Sequence, residues 1–235
     1  MGRNAQTAAA VAVHLLTASG GAIALFAIEA ISGGRIRSAL GWMCAAVVVD
    51  GVDGTLARRA RVRELLPRID GALLDNVVDY VNYAIVPAWL IHANGLLPER
   101  FSPAGTLVIA VAAAFQFSHT SAKSEDHLFR GFPSYWNVTA FYLLVGDLAP
   151  GINLAVVCGL ALLSVVPLYW VYPSRTPTLR RTTIALTVLW GAALITMIVR
   201  YPRVDPWLAR ISLLYVAYYT AVSLWLTYRR RRTTV

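Results

Sequence analysis

The sequence has little charge and almost no cysteine. Charged residues make up 14% of its 235 residues, compared with about 25% in an ordinary soluble domain. The two cysteines, Cys44 and Cys158, lie in apolar stretches and lack the spacing of a disulfide framework or a metal site. Hydrophobic residues reach 57%, a composition that excludes a disordered chain, a disulfide scaffold and a coiled coil.

The apolar residues fall into eight segments close to the length of a membrane-spanning helix. A helix needs about 20 residues to cross a bilayer, so the shorter segments are expected to be tilted or partly buried in protein. The segments lie at 8–31, 38–57, 72–96, 105–121, 134–149, 152–172, 183–199 and 207–228. The first is too long for the apolar region of a signal peptide, which leaves it as a helix. This pattern predicts an all-α, polytopic membrane protein with about eight transmembrane helices.

The chain has no internal repeat and no linker long enough to separate domains, so residues 1–235 are expected to form one membrane domain. Pro87 and Pro167 are expected to kink the third and sixth helices. The net charge of +9 is explained by loop orientation. With the N-terminus in the cytoplasm, 15 basic residues fall on the cytoplasmic side and six outside. Both termini are therefore predicted to be cytoplasmic, and nothing beyond the basic tail suggests a nucleic-acid partner.

Four of the twelve acidic residues lie in two adjacent predicted spans, where a charge costs roughly 2.5–3.5 kcal/mol. Asp50 and Asp53 lie near the cytoplasmic end of the second span, and Asp75 and Asp79 near the start of the third. The spacing within each pair places both side chains on one helical face. A basic loop joins the two helices and lets them pack antiparallel. All four carboxylates are therefore predicted to converge at one depth.

Four converging carboxylates require protons or cations to offset their charge. An all-oxygen site suits Mg²⁺ or Mn²⁺, and two ions about 3.5–4 Å apart would serve phosphoryl chemistry. Gly54 and Gly71 leave room for a ligand, and Arg58 can bind phosphate through two hydrogen bonds. These residues indicate a site for a metal-bound nucleotide diphosphate. A cation or proton pathway, as in a transporter, is the alternative use of the same carboxylates.

Residues 50–79 read DGVDGTLAR, then twelve residues, then GALLDNVVD. This segment resembles the signature of the CDP-alcohol phosphotransferases, membrane enzymes with a six-helix core that displace CMP from a CDP-linked donor with an alcohol. The gap between Arg58 and Gly71 is longer than in most of that family, and it is similar to the bacterial branch that joins CDP-diacylglycerol to choline. Residues 74–83 and 129–137 also resemble that branch. The resemblance implies choline as acceptor, with serine, inositol or glycerol 3-phosphate as alternatives.

The resemblance also implies roles for the motif residues. Asp50, Asp53 and Asp75 would hold two Mn²⁺ or Mg²⁺ ions, while Asp79 would share one ion and act as the general base that deprotonates the alcohol. The residues that would contact CDP are Gly54, Thr55, Ala57, Arg58 and Gly71. The expected location is the bacterial inner membrane, in contact with lipid, with the active site facing the cytoplasm. Homodimers are common in that family, and this sequence carries no interface signature.

Choline carries a trimethylammonium group, which proteins recognise with aromatic faces, sometimes with a carboxylate nearby. The candidate residues near Asp79 and the cytoplasmic boundary are Tyr80, Tyr83, Tyr135, Trp136 and Glu125. Tyr83 and Tyr135 are preferred. Because Trp and Tyr are enriched at membrane interfaces, anchoring at the interface is the alternative interpretation of each aromatic residue.

Overall fold

The computed structural model describes residues 2–119, 128–173 and 176–233, and most of these residues are helical. The α-helices, in chain order, are α1 (Arg3–Ser32), α2 (Ile36–Arg59), α3 (Val62–Leu65), α4 (Gly71–Tyr80), α5 (Val86–Ala93), α6 (Ser102–Ser118), α7 (Trp136–Val145), α8 (Pro150–Val165), α9 (Arg180–Arg200) and α10 (Pro206–Thr233). A π-helical turn (Val81–Ile85) joins α4 to α5, and a 3₁₀ turn (Glu99–Phe101) precedes α6. The two strands are β1 (Leu128–Arg130) and β2 (Tyr169–Val171).

Five helices in the described ranges are long and apolar enough to cross a membrane: α1, α2, α6 with its 3₁₀ turn, α9 and α10. Large apolar side chains stand exposed along these helices, as lipid-facing side chains do; Leu25, Leu189 and Leu214 are each 68% exposed. The shorter apolar helices α7 and α8 have 10 and 16 residues. The all-α, polytopic membrane fold is confirmed, and each of the eight predicted segments contains helix.

The third predicted segment is a continuous run of helix with a widened turn in its middle. Pro87 lacks the N–H that would bond to the carbonyl of Tyr83, and its ring would clash with that carbonyl in a regular α-helix. The π-helical turn immediately before Pro87 relieves this clash. The irregularity expected at Pro87 is therefore present, as a change in helical hydrogen bonding that lies one turn beyond Asp79.

The prediction for the sixth segment is wrong at its C-terminal end. Helix α8 ends at Val165, and residues 169–171 form β2, which pairs antiparallel with β1. Pro167 follows the end of the helix and does not kink it, because its missing N–H and its ring prevent the helix from continuing. Side chains of α10 satisfy the free edge of β2: Ser223 accepts a hydrogen bond from the Val171 N–H at 3.1 Å.

Helix α1 packs against both α2 and α4 and brings the two acidic helices together. Its buried face is made of small residues, among them Ala10, Gly20 and Ala24, which let helix backbones approach closely. At Gly20 the approach is so close that a Cβ atom would lie 2.4 Å from Cγ1 of Val78 on α4. This three-helix arrangement places the end of α2 beside the start of α4.

Candidate functional site: an acidic cleft between three helices

Three carboxylates converge where α2 meets α4. Asp50 comes from α2, and Asp75 and Asp79 come from adjacent turns of α4. One oxygen atom of each lies within 4.8 Å of the others, and all three side chains are half-buried. Such a set of oxygen atoms could bind a divalent cation. The predicted convergence is confirmed for these three residues.

The fourth predicted ligand, Asp53, lines the same cleft but is held differently. It is 5% exposed, and its Oδ2 accepts a hydrogen bond of 2.8 Å from the hydroxyl of Thr17 on α1. Asp53 lies outside the group of three carboxylates that approach within 4.8 Å. Its position one helical turn from Asp50 places it at the edge of the same site, with an oxygen oriented by α1.

The lining of the cleft is strongly acidic. Its residues are Thr17, Gly20, Ala46, Val49, Asp50, Asp53, Asp75, Val78, Asp79, Asn82 and Tyr83. Among the residues that the structure describes, this lining includes four carboxylates and no Lys or Arg. Carboxylates at this density repel one another unless cations compensate them. Because every charged donor is a carboxylate oxygen, the residues fit a hard divalent cation such as Mg²⁺ or Mn²⁺.

Two polar residues of the lining, which the sequence did not single out as site residues, form hydrogen bonds between the helices around the acids. Asn82, in the π-helical turn and 5% exposed, donates hydrogen bonds of 3.0 Å to the carbonyls of Gly20 and Val78. Thr17 joins α1 to α2 through Asp53. Polar side chains are scarce on α1, and that scarcity was the one signal in the sequence that could have drawn attention to Thr17.

The predicted choline contacts fall in different places. Tyr83 lines the cleft, and its hydroxyl donates a 2.7 Å hydrogen bond to Oδ2 of Asp50. Tyr80 instead donates to the carbonyl of Ala110 on α6 at 3.3 Å. Glu125 lies outside the described residues. Only Tyr83 among the described candidates therefore reaches the acidic cleft.

The other two aromatic candidates belong to a cluster at the start of α7. Tyr135 packs against Tyr219 of α10, with ring centroids 6.1 Å apart. Trp136 is fully buried and packs edge-to-face on Phe132 at 5.2 Å. The β-ribbon contributes Trp170, which stacks on Tyr219 at 5.9 Å. Sequence reasoning missed this cluster because residues 169–171 were assigned to a helix.

The predicted nucleotide contacts lie at the ends of α2 and α4 near the loop that joins them. Gly54 faces open space except for Arg58, whose Nη1 would be 3.4 Å from an added Cβ. Arg58 is exposed and donates a 3.0 Å hydrogen bond to the hydroxyl of Thr55. Ala57 packs against a small apolar cluster of Ala10 and Val13 of α1 with Val62 of α3.

Gly71, unlike Gly54, lies close to a side chain of another helix. A Cβ atom there would lie 3.0 Å from Cε1 of His14 on α1. The start of α4 is fixed by Asp70, whose carboxylate accepts hydrogen bonds of 3.0 Å from the N–H groups of Ala72 and Leu73. The N-cap explains why the helix that carries Asp75 and Asp79 begins at this point, and it places Gly71 against α1.

Curated relatives align with almost the whole chain, although no protein-family model matches it. A phosphatidylcholine synthase of Pseudomonas aeruginosa is 39% identical over 213 residues, 91% of this chain and 90% of that protein. The phosphatidylcholine synthase of Borreliella burgdorferi is 35% identical, covering 93% of this chain and 94% of its own. That of Legionella pneumophila is 37% identical, covering 92% and 88%. Each alignment covers more than 90% of this chain, so each necessarily includes residues 50–79 and with them all four acids of the cleft.

Proposed function

Since the chain belongs to the phosphatidylcholine synthase family, we propose that it transfers the phosphatidyl group of CDP-diacylglycerol to choline and releases CMP. The observation that carries the proposal is the convergence of Asp50, Asp75 and Asp79 within 4.8 Å. These acids belong to the segment that resembles the CDP-alcohol phosphotransferase signature. The same acids would offset the charge of bound cations, and the cations would offset the diphosphate of the donor.

The metal ligands of the proposal are Asp50, Asp53, Asp75 and Asp79. We assign them two ions, Mn²⁺ or Mg²⁺, since four carboxylates exceed what one divalent cation would neutralise. When bound, such ions polarise the diphosphate and stabilise the leaving CMP. Thr17 and Tyr83 support this assignment, because each donates a hydrogen bond to a ligand carboxylate and so fixes its orientation.

Asp79 is the proposed general base. It lines the cleft from the last turn of α4, two residues before the π-helical turn begins. Asp79 takes the proton of the choline hydroxyl, and the oxygen attacks the β-phosphorus on the diacylglycerol side. A new P–O bond to choline forms, the P–O bond to CMP breaks, and the electron pair leaves with CMP.

The donor nucleotide is assigned to the ends of α2 and α4. Gly54 is open to a ligand, and the exposed guanidinium of Arg58 can bind a phosphate with two hydrogen bonds. Thr55 holds Arg58 close to that surface. Ala57 and Gly71 complete the set as small residues that let a nucleotide lie against the helices.

Choline is assigned to the side of the cleft that carries Tyr83. The ring of Tyr83 borders the cleft beside Asp50, so it can present an aromatic face to the trimethylammonium group near the base. Tyr135 is the second aromatic residue that we propose for choline binding. The choline contacts of Tyr80, Trp136 and Glu125 stay predictions from the sequence.

The proposed location is a bacterial inner membrane, with both termini and the cleft on the cytoplasmic side. The asymmetry of the basic residues supports it, since 15 of them fall on the side that would be cytoplasmic. CMP and choline are water-soluble, whereas CDP-diacylglycerol and the product are lipids, so the reaction requires a site at the membrane surface. A homodimer stays a prediction from the family resemblance.

The experiment that tests the proposal measures CMP release by the purified protein. Protein in lipid vesicles is mixed with CDP-diacylglycerol, Mn²⁺ or Mg²⁺, and one labelled alcohol at a time. Release with choline alone is expected. Release with serine, inositol or glycerol 3-phosphate in place of choline would overturn the acceptor. No release with any acceptor, together with metal flux into the vesicles, would instead support a cation transporter.

A matched control separates loss of the site from loss of a negative charge. Asp79→Asn is expected to abolish turnover. Asp147→Asn changes an exposed acid outside the cleft, where the backbone φ of 47° suits Asn as well as Asp. CMP release by the Asp147 variant is expected to equal that of the unmodified protein.

A further inference from the structure

One face of α1 lies along the cleft and along the start of α4. His14, Thr17 and Gly20 are spaced three residues apart, and all three are buried. Thr17 contacts Asp53, and Gly20 contacts the π-helical turn through Asn82. The remaining member of this face, His14, packs against Gly71, the first residue of α4.

His14 carries a polar atom whose hydrogen-bonding capacity is not used. The side chain is 8% exposed, and its Nε2 is buried with no hydrogen-bond partner. Leaving a buried donor or acceptor unsatisfied is unfavourable, and most such atoms in proteins are paired. A buried and unpaired ring nitrogen beside a motif residue therefore points to a ligand as its partner.

The surroundings of His14 identify which part of a ligand it would meet. Ala57 packs against the cluster that contains Val13, the residue before His14, and Gly71 lies against the His14 ring itself. Both are among the residues assigned to the nucleotide. His14 also lies about 4.5 Å along the helix axis from Thr17, toward the N-terminus of α1. The diphosphate is assigned to the acids, so the nucleoside extends from them toward His14.

We propose that Nε2 of His14 forms a hydrogen bond with the cytidine moiety of the donor, through the base or the ribose. This role rests on the proposed function. Cytidine offers uncharged donors and acceptors on both the base and the sugar, so either tautomer of a neutral imidazole has a partner. His14 is thus a nucleotide-contact residue contributed by a helix that lies outside the signature segment.

The test compares His14→Phe, which keeps a ring and removes both nitrogens, with His14→Gln, which keeps a polar group near the position of Nε2. His14→Phe is expected to raise the KM for CDP-diacylglycerol and the inhibition constant of CMP by about tenfold, as expected for one lost hydrogen bond. The KM for choline and the metal concentration for half-maximal activity are expected to stay unchanged. His14→Gln is expected to recover most of the loss.

The control is His92→Phe. His92 also lies in an apolar helix, but it is hydrogen-bonded to Ser102 at 2.8 Å and does not line the cleft. Its replacement is expected to lower stability without changing either nucleotide constant. Folded His14 variants with unchanged constants for CDP-diacylglycerol and CMP would overturn the role. Equal losses in the nucleotide, choline and metal constants would also overturn it, by showing a general packing effect.

A second measurement decides the matter if both variants fail to fold. The chain has four histidines, so ¹⁵N-histidine labelling gives a simple spectrum in which His14 is assigned by replacing the other three one at a time. Addition of CMP with Mg²⁺ is expected to shift the His14 ring nitrogens, and no shift would overturn the contact. A wild-type protein that binds CMP but releases none from CDP-diacylglycerol would contradict the proposed function and leave the contact standing.

Discussion

The hydrogen bond between Thr17 and Asp53 provides the sharpest test of how the cleft binds metal. Thr17→Val keeps the size and branching of the side chain and removes only the hydroxyl that donates to Oδ2 of Asp53 at 2.8 Å. Thr17 is 7% exposed and Asp53 5% exposed, so bulk water cannot replace the lost donor. The carboxylate is then left less restrained and less stabilised as a metal ligand.

The size of the effect follows from the type of bond. A hydrogen bond to a charged group contributes about 1.5–3 kcal/mol. With about 1.4 kcal/mol for each factor of ten, this corresponds to roughly 10- to 100-fold, the range found when a partner of a metal ligand is removed. We therefore expect Thr17→Val to raise the Mn²⁺ concentration for half-maximal CMP release by about 10- to 100-fold, with a smaller change in the rate at saturating metal.

The assay is CMP release across a Mn²⁺ titration, with two matched variants. Thr17→Ser keeps the donor and is expected to stay within about threefold of the unmodified protein, a difference of roughly 0.6 kcal/mol. Thr196→Val removes a hydroxyl that bonds only within its own exposed helix, to the Ala192 carbonyl, and is expected to have no effect on the titration. A folded Thr17→Val protein with a normal metal titration would refute the positioning of Asp53 by α1.

Three further outcomes are expected. Asp79→Asn should retain substantial metal and CMP binding, because three ligand carboxylates remain, while losing turnover at least about 100-fold, as for a general base; near-normal turnover would contradict that role. Gly20→Ala should lower the melting temperature, because its Cβ would lie 2.4 Å from Cγ1 of Val78 on α4, a clash that costs about 1–3 kcal/mol of stability. Gly21→Ala is the control, since an added Cβ there has nothing within 4 Å, and an equal loss in the two variants would contradict the close packing of α1 on α4. Tyr83→Phe should raise the metal concentration for half-maximal activity several-fold and leave the KM for choline unchanged, because it removes the hydroxyl and keeps the ring. Tyr83→Leu should raise both the metal concentration for half-maximal activity and the KM for choline, and an equal KM for choline in the two variants would exclude Tyr83 from the choline site.

The acidic cleft was predictable because its determinants are local. Asp75 and Asp79 are four residues apart on one helix, and Asp50 lies on the helix that a basic loop joins to it. Helical periodicity fixes the shared face, and the connection fixes the antiparallel packing. The cost of placing charges in a membrane then singles out these residues without any knowledge of the remaining helices.

The β-ribbon and the aromatic cluster could not be predicted in the same way. Residues 166–172 continue an apolar run, and an apolar run alone does not distinguish the end of a helix from a strand. Hydroxyls of α10 satisfy the free edge of the strand: that of Thr227, for example, accepts a 2.8 Å hydrogen bond from the N–H of Tyr169. That contact joins residues 58 positions apart, and it depends on how the helices assemble.

The contribution of α1 shows why a signature segment alone does not form the site. The four acids repel one another, and the signature segment contains no buried cation to compensate them. Helix α1 contributes three contacts from outside that segment. Thr17 donates a hydrogen bond to Asp53, the carbonyl of Gly20 accepts one from Asn82, and the ring of His14 lies beside Gly71. These three contacts hold α2 and the start of α4 against α1 on either side of the cleft. Metal binding and helix packing are therefore coupled through α1, most directly at Thr17, whose hydroxyl both orients Asp53 and joins α1 to α2.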